Sequence, residues 1–239
     1  MMELKAETLT GYDFERTKKD TALLPVGSLE RHGDHLPLGT DTLIPDFISQ
    51  KVAESLDCLV LPPVWYGSCK AMRSFAGTFD IPEEVLYKYL KSIMVEAHRN
   101  GIRLLVVVNG HGGNSGPIAM AAREATRETD LSVLVVDWWK DLGAEALSKF
   151  SSPGHAGEDE TSAMLAVNSD IVKMDLARLH EIQYLSFKIY SKKLDERLYK
   201  IALTGDATKA SKEKGEELMG AVISDLIKII EDAKRTIAG

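Results

Sequence analysis

The chain has 239 residues, of which 44% are hydrophobic and 27% charged, and its formal net charge is -7 at pH 7. This length and apolar fraction suffice to bury a full core, and α/β domains of this size are commonly single, so we expect one domain over residues 1–239. The acidic balance, without a cluster of lysine or arginine, argues against nucleic acid and anionic membranes as partners.

The cysteine content and the N-terminal sequence favour a cytoplasmic protein. Only two cysteines are present, Cys58 and Cys69, and their spacing matches neither a disulfide framework nor a metal-ligand motif. The first residues are charged and lack the apolar core of a signal peptide. No apolar run approaches the roughly 20 residues that a membrane helix needs. We therefore expect a cytoplasmic location and no membrane partner.

Short apolar runs alternate with helical periodicity along the chain. Strands are predicted over residues 22–27, 58–61, 104–108 and 133–136. The run over 104–108 is apolar throughout, which is typical of a strand covered on both faces in a parallel sheet. Helices are predicted over 42–56, 82–100, 115–129, 161–167 and the C-terminal end after residue 207. This alternation predicts an α/β fold with a mostly parallel sheet and helices on both faces.

Other stretches carry weaker signals. Residues 64–81 form a long irregular segment, and a loop of this size inside a compact domain is more often functional than idle. Residues 140–150 are weakly helical, and residues 170–210 show no clear pattern.

The loop after the first predicted strand concentrates oxygen and imidazole donors. Within residues 28–41 lie two histidines and three acids: Glu30, His32, Asp34, His35 and Asp41. Such donors just past the end of a strand are where an α/β protein usually builds a site. The mixture suits Zn²⁺, Mn²⁺ or Fe²⁺, although a polar surface loop with two solvated histidines would have the same composition.

Two later loops favour the metal interpretation. Residues 109–114 place His111 between Gly110 and Gly112 directly before a predicted helix, and residues 154–160 carry one histidine and several acids. Loops that follow parallel strands emerge at the same edge of the sheet and can therefore converge. Four of the six histidines of the chain lie in these three loops. Because one carboxylate can bridge two cations, the pattern favours a site for two metal ions.

At these residues the sequence closely resembles the creatininase family of metal-dependent amidohydrolases. The resemblance rests on residues 27–37, 40–41, 109–114 and 154–162, and it extends in order over about residues 20–170. It implies a single three-layer α/β domain, a dinuclear metal centre and a homo-oligomer, either a hexamer or a dimer. It also implies a first metal position formed by Glu30, Asp41 and His111. His32 and a bridging Asp41 would form the second position.

Further roles follow from the same resemblance. His155 and Glu160 match residues that handle the substrate and its proton. Family members that hydrolyse creatinine carry a glutamate, a ligand of the second metal, at the position of Gly113 in this chain. We therefore expect Glu158 to replace that ligand, with helix capping by Glu158 as the alternative.

The residues that contact the substrate are less well marked. Creatinine-hydrolysing members also carry a tryptophan just before the His-Gly motif, and residues 150–154 contain none. We expect the substrate contacts to come instead from Ser68, Trp65, Trp138 and Gly112.

These observations predict a hydrolase that breaks a carbon–nitrogen amide bond with a metal-activated water. The substrate would be a cyclic amide such as creatinine or a related small amide, and the cofactor two ions of Zn²⁺, Mn²⁺ or Fe²⁺. One alternative within the family is deformylation of a formamidopyrimidine nucleotide in deazaflavin and riboflavin biosynthesis; another branch cuts a peptide in mycofactocin maturation. An alternative of a different class is a non-catalytic phosphate- or nucleotide-binding module that uses the turn at 109–114 and binds no metal.

Overall fold

A computed structural model of the chain describes residues 4–182, 189 and 191–238. Four strands form its central sheet: β1 (Thr21–Val26), β2 (Leu59–Val60), β3 (Leu104–Asn109) and β4 (Ser132–Asp137). All adjacent pairs are parallel, and the strand order is β2-β1-β3-β4. Each of these strands lies within two residues of its predicted position.

Helices follow and surround the strands. They are α1 (Gly11–Thr17), α2 (Thr40–Leu56), α3 (Glu83–Arg99), α4 (Ser115–Glu128), α5 (Trp138–Asp141), α6 (Ala144–Leu147), α7 (Glu158–Asn168), α8 (Lys192–Leu198) and α9 (Lys212–Ala238). Short 3-10 turns cover Ala6–Thr8, Lys70–Met72, Gly112–Asn114, Ser169–Ile171, Met174–Leu176 and Ala207–Lys209. Within the described parts of the chain, no helix is both long and apolar enough to cross a membrane.

The two faces of the sheet are each covered by helices. Leu23 and Val106 belong to a buried cluster that includes side chains of α2, α7 and α9. Their chain neighbours Leu24 and Val107 point the other way, into a second cluster with side chains of α3 and α4. Alternate strand residues are therefore buried on opposite sides, which explains the unbroken apolar runs in the sequence. The predicted α/β class, with a parallel sheet between two helical layers, is confirmed; a single domain over residues 1–239 stays a prediction.

The loops after β1 and β3 meet at the carboxyl edge of the sheet. The backbone N–H of Gly110 donates to the carbonyl of Val26 at 2.8 Å. A Cβ atom at Gly110 would lie 1.9 Å from the carbonyl oxygen of Asp41, so only glycine allows this approach. The close contact brings the start of α2 against the turn that follows β3.

Residues 199–206 cover this edge from a part of the chain that the sequence pattern left unassigned. Two short antiparallel strands, β5 (Leu179–His180) and β6 (Gly205–Asp206), anchor the segment. Just before β6, Thr204 and His155 exchange two hydrogen bonds, one from each backbone N–H, at 2.8 and 2.9 Å. The loop before α7 is thereby held over the ends of β1 and β3.

Candidate metal centre

Asp41 lies in the first turn of α2, between two imidazole rings. Its Oδ1 is 2.9 Å from His32 Nε2, and its Oδ2 is 3.0 Å from His111 Nδ1. The hydroxyl of Ser28 donates to the same Oδ2 at 2.5 Å. One oxygen of the carboxylate thus faces each histidine, which is the arrangement of a ligand shared between two cations.

Three histidines of the site are oriented in the same way. Each donates one ring N–H to a backbone carbonyl: His32 Nδ1 to Glu30 at 3.1 Å, His111 Nε2 to Ser68 at 2.8 Å and His155 Nε2 to Arg31 at 2.9 Å. In the neutral ring, the second nitrogen then carries a lone pair that points into the site. A backbone carbonyl that fixes the tautomer is typical of histidines that bind metal ions.

The lone pairs face carboxylates, so a positive charge must lie between them. His111 Nδ1 is 3.3 Å from Glu30 Oε1, and His155 Nδ1 is 3.7 Å from the same oxygen. The second oxygen of Glu30, Oε2, is buried and has no hydrogen-bond partner among the described residues. A buried carboxylate oxygen without a partner is costly unless a cation or a proton neutralises it. These residues therefore fit a bound cation.

The pKa values of His111 and Asp41 also indicate that positive charge stabilises this cluster. Burial alone would lower the pKa of His111, but the charges of Glu30 and Asp41 outweigh it and raise that pKa well above its ordinary value. Burial would likewise raise the pKa of Asp41, but His32 and His111 outweigh it and lower the pKa. Protons would occupy the space between these groups in the metal-free chain, where a divalent ion can replace them.

Donor atoms converge in three groups among the described residues. The ligand atoms of His32, Asp41 and Glu160 all lie within 4.8 Å of one another, and so do those of Glu30, Cys69 and His111. A third such group joins Glu30, His32 and His155. The structure thus brings together Glu30, His32, Asp41, His111, His155 and Glu160 from the three loops identified in the sequence.

The position of Glu158 does not support the expectation that it binds a metal ion. Its Oε2 accepts hydrogen bonds from the backbone N–H groups of Ser151 and Ser152, both at 2.9 Å, and its Oε1 lies 2.6 Å from the ammonium of Lys214. Helix α7 begins at Glu158, three residues before the predicted start. Residues two apart on a helix point in opposite directions, so Glu160 faces the centre and Glu158 faces away. Glu158 is therefore not placed as a ligand.

Gly113 cannot carry a glutamate on this backbone. A Cβ atom there would lie 1.9 Å from the carbonyl oxygen of Ser68 and 2.7 Å from His111 Nε2. The carbonyl of Ser68 occupies that space because it accepts the ring N–H of His111. A carboxylate oxygen of Glu160 lies 3.6 Å from His32 Nε2.

A cavity of 830 Å³ opens over the centre. Ser68, Gly112 and Trp138, three of the residues expected to contact substrate, line it, and Trp138 is almost fully buried. Trp65 is not among the described lining residues; it is 40% exposed and its ring lies against Gly39. Trp139 lines the cavity instead, so the predicted substrate contact of Trp65 is not supported by its position.

Comparison with known proteins identifies the family. The sequence matches the Creatininase family, described as creatinine amidohydrolase, over residues 7–230. The chain belongs to the creatininase family. It is thus a member of a family of hydrolases that act on carbon–nitrogen bonds.

Individual creatininase-family relatives differ in what they act on. The chain is 31% identical to the mycofactocin precursor peptide peptidase of Mycobacterium ulcerans (strain Agy99), over 87% of this chain and 83% of the relative. It is also 31% identical to the creatinine amidohydrolase of Pseudomonas putida, over 88% of each. The fold is similar to that of a mutant creatininase of Zn-Zn type, with a TM-score of 0.88 and 28% identity over 98% of this chain and 99% of the other.

Proposed function

We propose that the chain is a metal-dependent amidohydrolase with a dinuclear centre that breaks the carbon–nitrogen bond of a small amide. The observation that carries this proposal is the set of three fixed imidazoles whose free nitrogens face buried carboxylates. When bound, the two divalent ions would act as Lewis acids and lower the pKa of a water toward neutrality.

The family resemblance suggests the ligands of the first ion, and the distances support those of the second. Glu30, Asp41 and His111 would hold one ion, with Asp41 shared. His32, Asp41 and Glu160 would hold the other. Glu160 takes the place proposed from the sequence for Glu158, because its carboxylate and not that of Glu158 faces His32.

His155 would move a proton at the leaving nitrogen. Its Nε2–H is held by the carbonyl of Arg31, so Nδ1 remains toward Glu30 and the cavity. The rings of His32 and Tyr199, at centroid distances of 4.4 and 5.9 Å, hold the imidazole from two sides. An imidazole that is fixed at one nitrogen and lines a cavity is suited to general acid–base catalysis.

The shape of the cavity bears on the size of the substrate. Its volume falls in the range, about 300–1,000 Å³, of sites that enclose drug-sized ligands. Creatinine would occupy only part of this volume, and a larger amide would fill it. The substrates to compare are therefore creatinine, cyclic ureides, a formamidopyrimidine nucleotide and short peptides.

Metal analysis and this substrate panel together test the proposal. Protein reconstituted with Zn²⁺, Mn²⁺ or Fe²⁺ should hold up to two ions per chain and hydrolyse at least one amide of the panel. An Asp41→Asn variant is the control, since it should lose both properties. Protein that holds no more than trace metal after reconstitution would refute the proposal and favour a phosphate- or nucleotide-binding module.

We also propose a homo-oligomer, a hexamer or a dimer, on the strength of the family resemblance. Light scattering coupled to size-exclusion chromatography measures this directly, and a monomer at micromolar concentration would contradict it.

A further inference from the structure

Cys69 lies at the metal centre, although its place in the sequence gave no sign of this. It follows Ser68 in the irregular segment between β2 and α3, and its side chain is almost fully buried. Its backbone N–H donates to Asp80 Oδ1 at 2.8 Å, which fixes the turn that carries it. Cys69 lines the cavity together with Glu30 and His111.

The thiol lies close to Glu30 and His111, two of the proposed metal ligands. Its sulfur, a Glu30 oxygen and a ring nitrogen of His111 all lie within 4.8 Å of one another. Glu30 contributes the buried Oε2 that has no hydrogen-bond partner among the described residues. The sulfur lies 3.6 Å from the carbonyl of Gly67, and the thiol also interacts with the side chains of His111 and Ser28.

The other cysteine has no comparable surroundings. Cys58 lies directly after α2, with its sulfur 3.4 Å from the carbonyl of Leu56 and 4.0 Å from the ammonium of Lys234. It is equally buried but does not belong to any of the metal-ligand groups found among the described residues. Cys58 is therefore a matched control for Cys69.

We propose that the Cys69 thiolate is a ligand of the ion held by Glu30, Asp41 and His111, an inference that rests on the dinuclear centre proposed above. On binding, the thiol gives its proton to solvent and the sulfur forms a bond to the ion. No oxidant or reductant takes part in this step.

A thiolate ligand would make the two metal positions unequal. Glu30, Asp41, His111 and Cys69 would supply four protein ligands, which is the number in closed zinc sites. His32, Asp41 and Glu160 would supply three and leave a place for water or substrate. The soft sulfur would also favour Zn²⁺ over Mn²⁺ at the closed position, whereas the other position offers only nitrogen and oxygen.

Cobalt titration of the metal-free protein tests the sulfur ligand without reference to activity. Wild-type protein and Cys58→Ser should both show a near-ultraviolet band of thiolate-to-cobalt charge transfer as well as the visible bands of bound Co²⁺. Cys69→Ser should lose the charge-transfer band and keep visible bands. Its Zn²⁺ affinity at that position should fall at least about 10-fold, as changes around metal ligands commonly cause, with a smaller fall for Mn²⁺.

The outcomes separate this inference from the function on which it rests. Visible bands without a near-ultraviolet band in wild-type protein, or a band that survives in Cys69→Ser, would overturn the sulfur ligand and leave the dinuclear centre standing. Wild-type protein that binds no Co²⁺ would overturn both. If Cys69→Ser does not fold, as judged by circular dichroism, cadmium NMR of the wild type decides, because only a thiolate ligand shifts a resonance out of the nitrogen and oxygen range.

Discussion

Asp41 joins the two positions of the proposed centre, and removal of its charge should affect both. Asp41→Asn is expected to lower the metal content from two ions to none, because one carboxylate oxygen faces His32 and the other His111. Glu30→Gln should lose only the ion beside His111. Metal analysis after reconstitution measures the difference. Retention of two ions by Asp41→Asn would show that the carboxylate is not shared.

Glu158 and Glu160 are expected to differ in their effect on metal binding. Glu160→Gln should lose the ion beside His32, whereas Glu158→Gln should keep both ions. Only the Glu160 carboxylate faces the centre, since that of Glu158 is bonded to the loop before α7 and to Lys214. Metal titration of both variants makes the comparison. Loss of an ion from Glu158→Gln would show that Glu158 is a metal ligand after all.

Glu158→Gln should instead destabilise the fold. Loss of its charged hydrogen bonds should cost about 1.5–3 kcal/mol at neutral pH. Burial would raise the pKa of Glu158, but the bonds from Lys214 and from the backbone of Ser152 outweigh it and lower the pKa. The carboxylate therefore stabilises the folded chain above its unfolded pKa, near 4.3, and this contribution is lost as the pH falls through the folded value. Denaturant unfolding at neutral and acid pH should show the variant and wild type converging in acid.

The residue types in the sequence indicated which kinds of side chain form the centre, but not how each side chain is oriented. Carboxylate and imidazole types in three loops indicated a metal site, and the structure brings six of those side chains together. The choice between Glu158 and Glu160 depended on where α7 begins, because a helix start decides the direction in which each side chain points. Cys69 carried no signal, since its neighbours in space, Glu30 and His111, are far away in the chain.

Among the elements, the turn after β3 depends most on missing side chains. Gly113→Ala should lower stability by about 1–3 kcal/mol, because its Cβ would collide with the Ser68 carbonyl and displace the group that orients His111. Gly112→Ala, one residue earlier, should change stability by less than about 0.5 kcal/mol, since a Cβ there meets only Trp139 at 3.9 Å. Thermal unfolding of the two variants tests the contrast. Equal losses of stability in the two variants would mean that the loss comes from reduced backbone freedom and not from the contact with Ser68.

Regular elements were predictable from the sequence and the segments over the site were not. Continuous apolar runs and helical periodicity located the sheet and its two helical layers because burial on defined faces leaves a pattern in the chain. The segments at 64–81 and 199–206 follow no such period. Their conformation depends on individual hydrogen bonds to distant residues, such as those between Thr204 and His155.

For the molecule as a whole, metal binding and folding stability should rise together. A ligand that binds only the folded chain at 100 times its dissociation constant stabilises it by about 2.7 kcal/mol, or roughly 5–10 °C in a chain of this size. Zn²⁺ should therefore raise the unfolding temperature of metal-free protein by about that amount for each ion bound at neutral pH. In acid the gain should vanish, because protons compete for His32 and His111. Calorimetry with and without Zn²⁺ at both pH values measures this, and an equal gain in acid would contradict it.

Residues 199–206, which cover the carboxyl edge of the sheet, are synthesised after all the proposed ligands, and this order affects when the site can form. Every proposed ligand, from Glu30 to Glu160, leaves the ribosome before this segment does. The backbone N–H of Gly33 donates to the carbonyl of Ala202 at 2.7 Å, and that of Asp206 donates to the carbonyl of Ser152 at 3.3 Å. Both ligand-bearing loops therefore gain these hydrogen bonds only after residues 202–206 have been translated. A nascent chain that ends near residue 198 would already contain all the proposed ligands, but it would lack the hydrogen bonds that fix the positions of their loops. Metal acquisition should accordingly follow the docking of residues 199–206 onto the two loops.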